Sequence, residues 1–267
     1  MIDTTSEEAF QKSWVNYQRP LFIVDEGRIA DANVGEYVLF VFVQTDTESA
    51  VHWASDAVFV KESMTEKKLP TVFKGKKLFG SSQQKFHEPY RNYVVDKLKS
   101  AEKLSFMLTT STNLNGLYSS LDGGIKSEID PTDKIEGREL LPFLSCLKQI
   151  VKDRALSNPH IDVLVDRSFN LGLDPSQRKI QHDQFQIIGP GTLNVLSDGS
   201  QAALQVPNEF LFVSTKEEGG FSDLLVLPDS LAYLLNNSSY IEQHKARLNS
   251  NVKIWYWHDV FSNLPIP

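Results

Sequence analysis

Two apolar runs in this chain end in acid. Leu21-Phe22-Ile23-Val24 passes into Asp25-Glu26-Gly27, and Val163-Leu164-Val165 passes into Asp166. Short apolar runs of this kind predict buried strands. A strand that enters a core seldom ends in carboxylates unless water or a ligand solvates them. If the two strands lie side by side and parallel, Asp25 and Asp166 emerge at one carboxyl edge, where ligands collect in open α/β sheets. A shared carboxylate site of this kind would constrain the fold more than any other feature, since it needs both segments to be strands of one sheet, adjacent and co-directional.

The 267 residues allow one large domain or two small ones. A hydrophobic fraction of 41% and a charged fraction of 23% are those of an ordinary globular chain. No stretch reaches the ~18 uncharged apolar residues of a membrane span, and the acidic, polar start from Met1 to Gln11 does not read as a signal peptide. These features predict no membrane partner. The single cysteine, Cys146, lies in the apolar run 140–147 and reads as core; it excludes an internal disulfide framework and predicts a reducing, cytoplasmic setting. A net charge of −7 argues against a surface coated for nucleic acid. Residues 61–85 run against that balance, with seven lysines (Lys61, Lys67, Lys68, Lys74, Lys76, Lys77, Lys85) against Glu62 and Glu66. The stretch reads either as a basic groove or as a solvated loop.

Periodicity predicts an amphipathic helix over 5–18, with Phe10, Trp14 and Tyr17 on one face, closed by Pro20. Strands are predicted at 21–25 and 36–44 with a polar loop between them, and a short strand at Ala57-Val58-Phe59-Val60. A helix over 82–100 carries Phe86, Tyr90, Val94 and Leu98, and a strand follows at 104–109. Residues 111–137 read as a long connection and 138–155 as a helix. Strands at 161–166 and 209–214 bracket a segment, 170–207, in which Gly189-Pro190-Gly191 and Asp198-Gly199 predict one or two hairpins. A last helix spans about 223–236, and Trp255-Tyr256-Trp257 is expected to pack on the body or to form an exposed docking patch. The order is mixed α/β with one sheet.

Several chemistries are disfavoured. The histidines His52, His87, His160, His182, His244 and His258 show no ligand-spaced pair, against a zinc site. No Gly-x-Ser-x-Gly elbow is present. Gly75-Lys76-Lys77 lacks the upstream glycine and hydroxyl residue of a phosphate loop, and Gly189-Pro190-Gly191 is a turn, so no dinucleotide cofactor is expected. Acid clustering remains. Mg²⁺ and Mn²⁺ prefer hard oxygen ligands, and paired-metal phosphoryl-transfer sites draw carboxylates from several elements. Asp229, amid the apolar residues 224–235, is a third such acid or, with Pro228, simply the first turn of a helix.

At these residues the chain resembles a known family. Ile23-Val24-Asp25-Glu26-Gly27 is similar to its opening Asp-Glu-Ser-Gly strand, Val163-Leu164-Val165-Asp166 to its second acidic strand, and Phe73-Lys74-Gly75 to its Glu-Leu-Lys-Gly segment. Phe212-Val213-Ser214-Thr215-Lys216 followed by Leu225-Val226-Leu227-Pro228-Asp229-Ser230-Leu231-Ala232 resembles its closing signature. The family is the domain of unknown function numbered 3800, a branch of the ribonuclease-H-like superfamily. The resemblance implies one domain over 1–267 with a mixed five-stranded sheet flanked by helices, an N-terminal helical extension at 1–19, a hairpin insertion at 170–207 and a tail at 240–267. It implies Asp25, Asp166 and Asp229 as metal-binding and catalytic acids for Mg²⁺ or Mn²⁺, with Glu26 a fourth catalytic acid. Lys74, Lys76, Lys77, Ser214 and Lys216 would border the substrate. Strand alternation points Glu26 away from Asp25 unless Gly27 breaks the strand.

The implied function is a metal-dependent nuclease or related phosphoryl-transfer hydrolase acting on nucleic acid. The chain departs from the pattern: Gly27 follows Glu26 without the serine, Val72 occupies the position of the family's glutamate, Val226 and Pro228 replace its Gln and Ala near the final Asp, and the stretch 170–207 is longer than expected. These departures keep a second reading open: a catalytically inactive ribonuclease-H-like module that binds nucleic acid or protein, in a mobile-element or phage-defence setting. A purely structural partner protein is the third.

Overall fold

A computed structural model describes residues 20–65, 74–80, 87–110, 162–166, 185–188, 192–197, 200–205, 209–213, 220–247 and 253–257. Strand β1 (Pro20–Asp31) pairs antiparallel with β2 (Gly35–Asp46) without a break, from Pro20 opposite Asp46 to Asp31 opposite Gly35. The reversal is tight because the Asp31 side chain stands in for backbone: its Oδ1 accepts from the Asn33 N–H at 2.9 Å and the Val34 N–H at 3.2 Å. Gly35 then leaves the turn at φ 95°, a conformation that other residues adopt only with strain. The loop expected after residue 25 is therefore mostly strand. Its residues as far as Asp31 extend the ladder because β2 supplies a partner for each of them.

β2 passes directly into helix α1 (Thr47–Thr65). Asp46 caps the helix, accepting from the Ser49 N–H at 2.7 Å and the Ser49 hydroxyl at 2.6 Å. The strand expected at Ala57-Val58-Phe59-Val60 is not formed; all four residues lie in α1. Ala50, Trp53, Ala54, Ala57, Lys61 and Met64 are buried, and their spacing is that of a helical stripe. The short apolar run straddles that stripe, so the longer period prevails over local strand propensity.

Helices α2 (Gly75–Phe79) and α3 (Glu88–Ser100) precede strand β3 (Lys103–Thr110). The α3 residues Tyr90, Val94 and Leu98 are buried, as their spacing predicts; Phe86 lies outside the described residues. Pro89 sits in the first turn, where its missing N–H costs nothing. Then come β4 (Asp162–Asp166), β5 (Phe185–Ile188), β6 (Thr192–Ser197), β7 (Ser200–Gln205) and β8 (Glu209–Val213). β6 and β7 pair antiparallel as a two-stranded sheet of their own, with Ser197 opposite Ser200; the turns expected at Gly189-Pro190-Gly191 and Asp198-Gly199 lie outside the described residues. A 3₁₀ segment, Gly220–Leu225, runs into α4 (Val226–Asn236) and α5 (Ser239–Lys245). β9 (Lys253–Trp257) follows, so the aromatic tail residues form an edge strand paired with β3.

The fold is mixed α/β. Its main sheet has seven strands in the order β5-β8-β4-β1-β2-β3-β9, two more than the five expected, with the additions β5 and β9 at the edges. β1, β2 and β3 form an antiparallel unit, whereas β4 is parallel to both β1 and β8. One face of the sheet, with Leu21, Ile23, Leu39, Val41 and Phe106, packs under α1, α3 and α4 in a single apolar cluster. The residues that alternate with them, Phe22, Val24, Phe40, Phe42 and Met107, are buried as well. Burial on both faces explains why β1 and β2 read as continuous rather than alternating apolar runs. Among the described residues no helix is long and apolar enough to cross a membrane. The predicted helices at 5–18 and 138–155, the connection at 111–137 and Cys146 lie outside the described residues.

Candidate acidic site and its basic flank

β1 and β4 pair in parallel from Leu21 opposite Asp162 to Val24 opposite Val165. Asp25 and Asp166 each directly follow the last residue of that pairing. Beyond this point β1 continues alone beside β2, with Asp25 opposite Val41 and Glu26 opposite Phe40. Gly27 lies inside this ladder, opposite Leu39, and does not break the strand. Glu26 therefore falls on the sheet face opposite to Asp25. The two adjacent acids of the opening motif cannot serve one site without a change of backbone.

Asp25 shares its face with Ile23 and Gly27, the face that α4 covers. A Cβ placed on Gly27 would stand 3.9 Å from the Ala232 Cβ, which marks where β1 and α4 meet. Asp25 lies two residues before Gly27 on the strand, and Asp229 lies three residues before Ala232 in the first turn of α4. Both are half-buried, and Asp25 Oδ1 accepts from the Glu26 N–H at 2.9 Å. The side chain of Asp166 lies outside what the structure describes. Among the described residues no group of three His, Cys, Asp or Glu side chains is close enough to hold a metal ion.

Asp229 has a visible task. Its Oδ2 accepts from the Gly75 N–H at 2.6 Å, tying the start of α2 to the start of α4. The approach is close enough to require glycine: a Cβ on Gly75 would stand 2.6 Å from the Ser230 Cα and 2.7 Å from the Asp229 carbonyl oxygen. At the other end of α2, a Cβ on Gly80 would overlap the Tyr233 hydroxyl. Two glycines thus let α2 lie along α4, with Leu78 and Phe79 buried and Lys76 and Lys77 exposed. Lys74 is exposed as the residue before α2, and its carbonyl accepts from the N–H groups of Lys77 at 2.8 Å and Leu78 at 3.0 Å.

The lysine-rich stretch is not one loop. Lys61 lies in α1, buried, and pairs with Asp223 of the 3₁₀ segment. Tyr90 and Tyr93 stand close by; burial pushes both hydroxyls far above the usual tyrosine range, and the charge of Asp223 adds to the shift. The Tyr93 hydroxyl donates to the Trp53 carbonyl at 2.8 Å. Sequence reasoning missed the Lys61–Asp223 pair; the signal for it was the helical period that places Lys61 four residues after Ala57. His87, at the start of α3, is buried, which lowers its pKa, and the charge of Lys77 lowers it further. Ser214, Lys216, Lys67, Lys68, Lys85 and Val72 lie outside the described residues. Comparison of the chain with protein-family models, with curated proteins and with solved structures gives no match.

Proposed function

We propose that this protein is a divalent-metal-dependent nuclease or related phosphoryl-transfer enzyme built on a ribonuclease-H-like sheet. The observation that carries the reading is the strand order: an antiparallel unit β3-β2-β1 followed by the parallel strands β4 and β8, with Asp25 and Asp166 next to one another at the end of the β1–β4 pairing. Asp229 in the helix that covers β1 supports it. Asp25, Asp166 and Asp229 are the residues that would hold Mg²⁺ or Mn²⁺, and a donor set of carboxylates suits either ion. Such an ion supplies an activated water and offsets charge developing on a phosphodiester. Lys76 and Lys77, held in place by α2, would meet the phosphate backbone. Glu26 is left out of the metal site on the alternation of β1.

The engagement of Asp229 by Gly75 favours a second reading, a ribonuclease-H-like binding module without catalysis. An acid already committed to docking a helix has one oxygen fewer for a metal.

The deciding measurement is thermal unfolding against Mg²⁺ and Mn²⁺. A ligand that binds only the folded state at a hundred times its Kd adds about 2.7 kcal/mol. Wild type should be stabilised in a saturable way and Asp25→Asn should not respond. Equal stabilisation of both would place the ion elsewhere. A nuclease assay of wild type and Asp166→Asn then separates the two readings: metal binding without Asp166-dependent cleavage supports the inactive module.

A further inference from the structure

A cleft of about 350 Å³ lies between α1 and α3, and none of the acids above lines it. Asp56, Phe59 and Val60 form one wall, at helical i, i+3, i+4 spacing. Tyr93, Asp96 and Lys97 belong to the other, one to two turns after Pro89 at its end. Phe59 is 72% exposed. It is the larger and the more exposed of the two big apolar side chains found in solvent among the described residues, the other being Val34. The exposed ring gives the cleft an apolar contact point beside its charged groups.

The charge around the cleft selects the occupant. Lys97 Nζ lies 2.7 Å from Asp56 and 3.4 Å from Asp96, and 5.7 Å from the centre of the Tyr93 ring. One lysine between two carboxylates leaves them undercompensated, and their side chains remain 55% and 69% exposed. Outside the lining, the acids Glu62 and Glu88 and the bases Arg91 and Lys99 lie on the same two helices and roughly offset one another. Two carboxylates against one ammonium leave the lining with an acidic excess, which favours a cationic protein segment over nucleic acid or anionic lipid. From Pro89 to Lys97 the wall rises about 12 Å along α3, which is two turns of helix or four extended residues.

We propose that the α1–α3 cleft docks a partner protein through a short basic segment with one apolar anchor. The anchor would sit against Phe59, Val60 and Tyr93, and flanking lysine or arginine residues would take the outward oxygens of Asp56 and Asp96. The proposal is independent of the metal site.

The test is selection of a random twelve-residue peptide library, displayed on phage, against the full chain, with Phe59→Ser as counter-target. A peptide made to the enriched sequence is then titrated by fluorescence anisotropy. Phe59 is a surface residue, so Phe59→Ser should melt within a few degrees of wild type. The expected result is enrichment of sequences with an aromatic or aliphatic residue among lysines and arginines. Binding should be saturable and at least tenfold weaker for Phe59→Ser and for the double variant Asp56→Asn, Asp96→Asn. The proposal fails if nothing is enriched, if the enriched peptides are acidic or lack the anchor, or if Phe59→Ser binds as tightly as wild type. It fails equally if sedimentation shows that Phe59 mediates self-association, since a second copy would then be the occupant.

Discussion

At the scale of single residues, the clearest result is that Asp229 and Gly75 act together. The carboxylate accepts the Gly75 N–H at 2.6 Å, and the missing Cβ of Gly75 lets the two backbones touch. The atoms a Cβ would meet are backbone atoms and cannot swing aside. Gly75→Ala should therefore lift α2 off α4 and cost about 1–3 kcal/mol, the range for overpacking a close contact, measured by urea denaturation. Asp229→Ala removes a hydrogen bond to a charged acceptor, worth about 1.5–3 kcal/mol when buried and less at this half-exposed position. His87 gives a pH signature. Its folded-state pKa lies below the unfolded value, so the neutral form is the one the fold accommodates. Its contribution is complete above about pH 6.5 and is lost as pH falls from there toward the folded pKa. Stability curves of wild type and His87→Gln should differ in slope over that acidic window and run parallel above it.

At the scale of elements, α1 shows why a run of four apolar residues can mislead. Ala57-Val58-Phe59-Val60 has strand composition, but Asp46 caps a helix eleven residues earlier and the buried stripe runs on to Met64. Helix geometry spreads the four side chains around the axis and sends Phe59 outward. The same stripe buries Lys61 against Asp223, joining α1 to the segment that leads into α4. With the two side chains 10% and 5% exposed, removing one partner leaves a charge in a dry site. Lys61→Met or Asp223→Leu alone should cost about 3–5 kcal/mol, whereas the double variant should come back to near wild type. A double-mutant cycle by chemical denaturation reads both. No unusual loss in the single variants would mean that water reaches the pair.

At the scale of the whole molecule, β2 is the centre of the antiparallel unit, paired on both sides and buried from Val38 to Thr45. Its amides should be among the slowest to exchange with deuterium and should report the global free energy of unfolding, while those of the edge strand β9 open locally. Fast exchange in β2 would contradict the sheet order.

Much of this architecture was legible in the residues. The strands expected at 21–25, 36–44 and 104–109 are present, because burial on both faces leaves a run of apolar residues that no loop tolerates, and those expected at 161–166 and 209–214 appear as Asp162–Asp166 and Glu209–Val213. The buried face of α3 follows from its four-residue spacing. The acids at Asp25 and Asp166 could be named because charge at the end of a buried run is chemically conspicuous. Local pattern could not show that β1 continues through Glu26 and Gly27. That depends on β2 offering a partner for each added residue, and it is what puts Glu26 on the far face. Nor could it show that α2 lies against α4, that Lys61 is an ion-pair partner rather than part of a basic groove, or that Phe59 is left in solvent. Period and composition record what a residue needs from its surroundings; which distant segment meets that need is decided only when the chain packs.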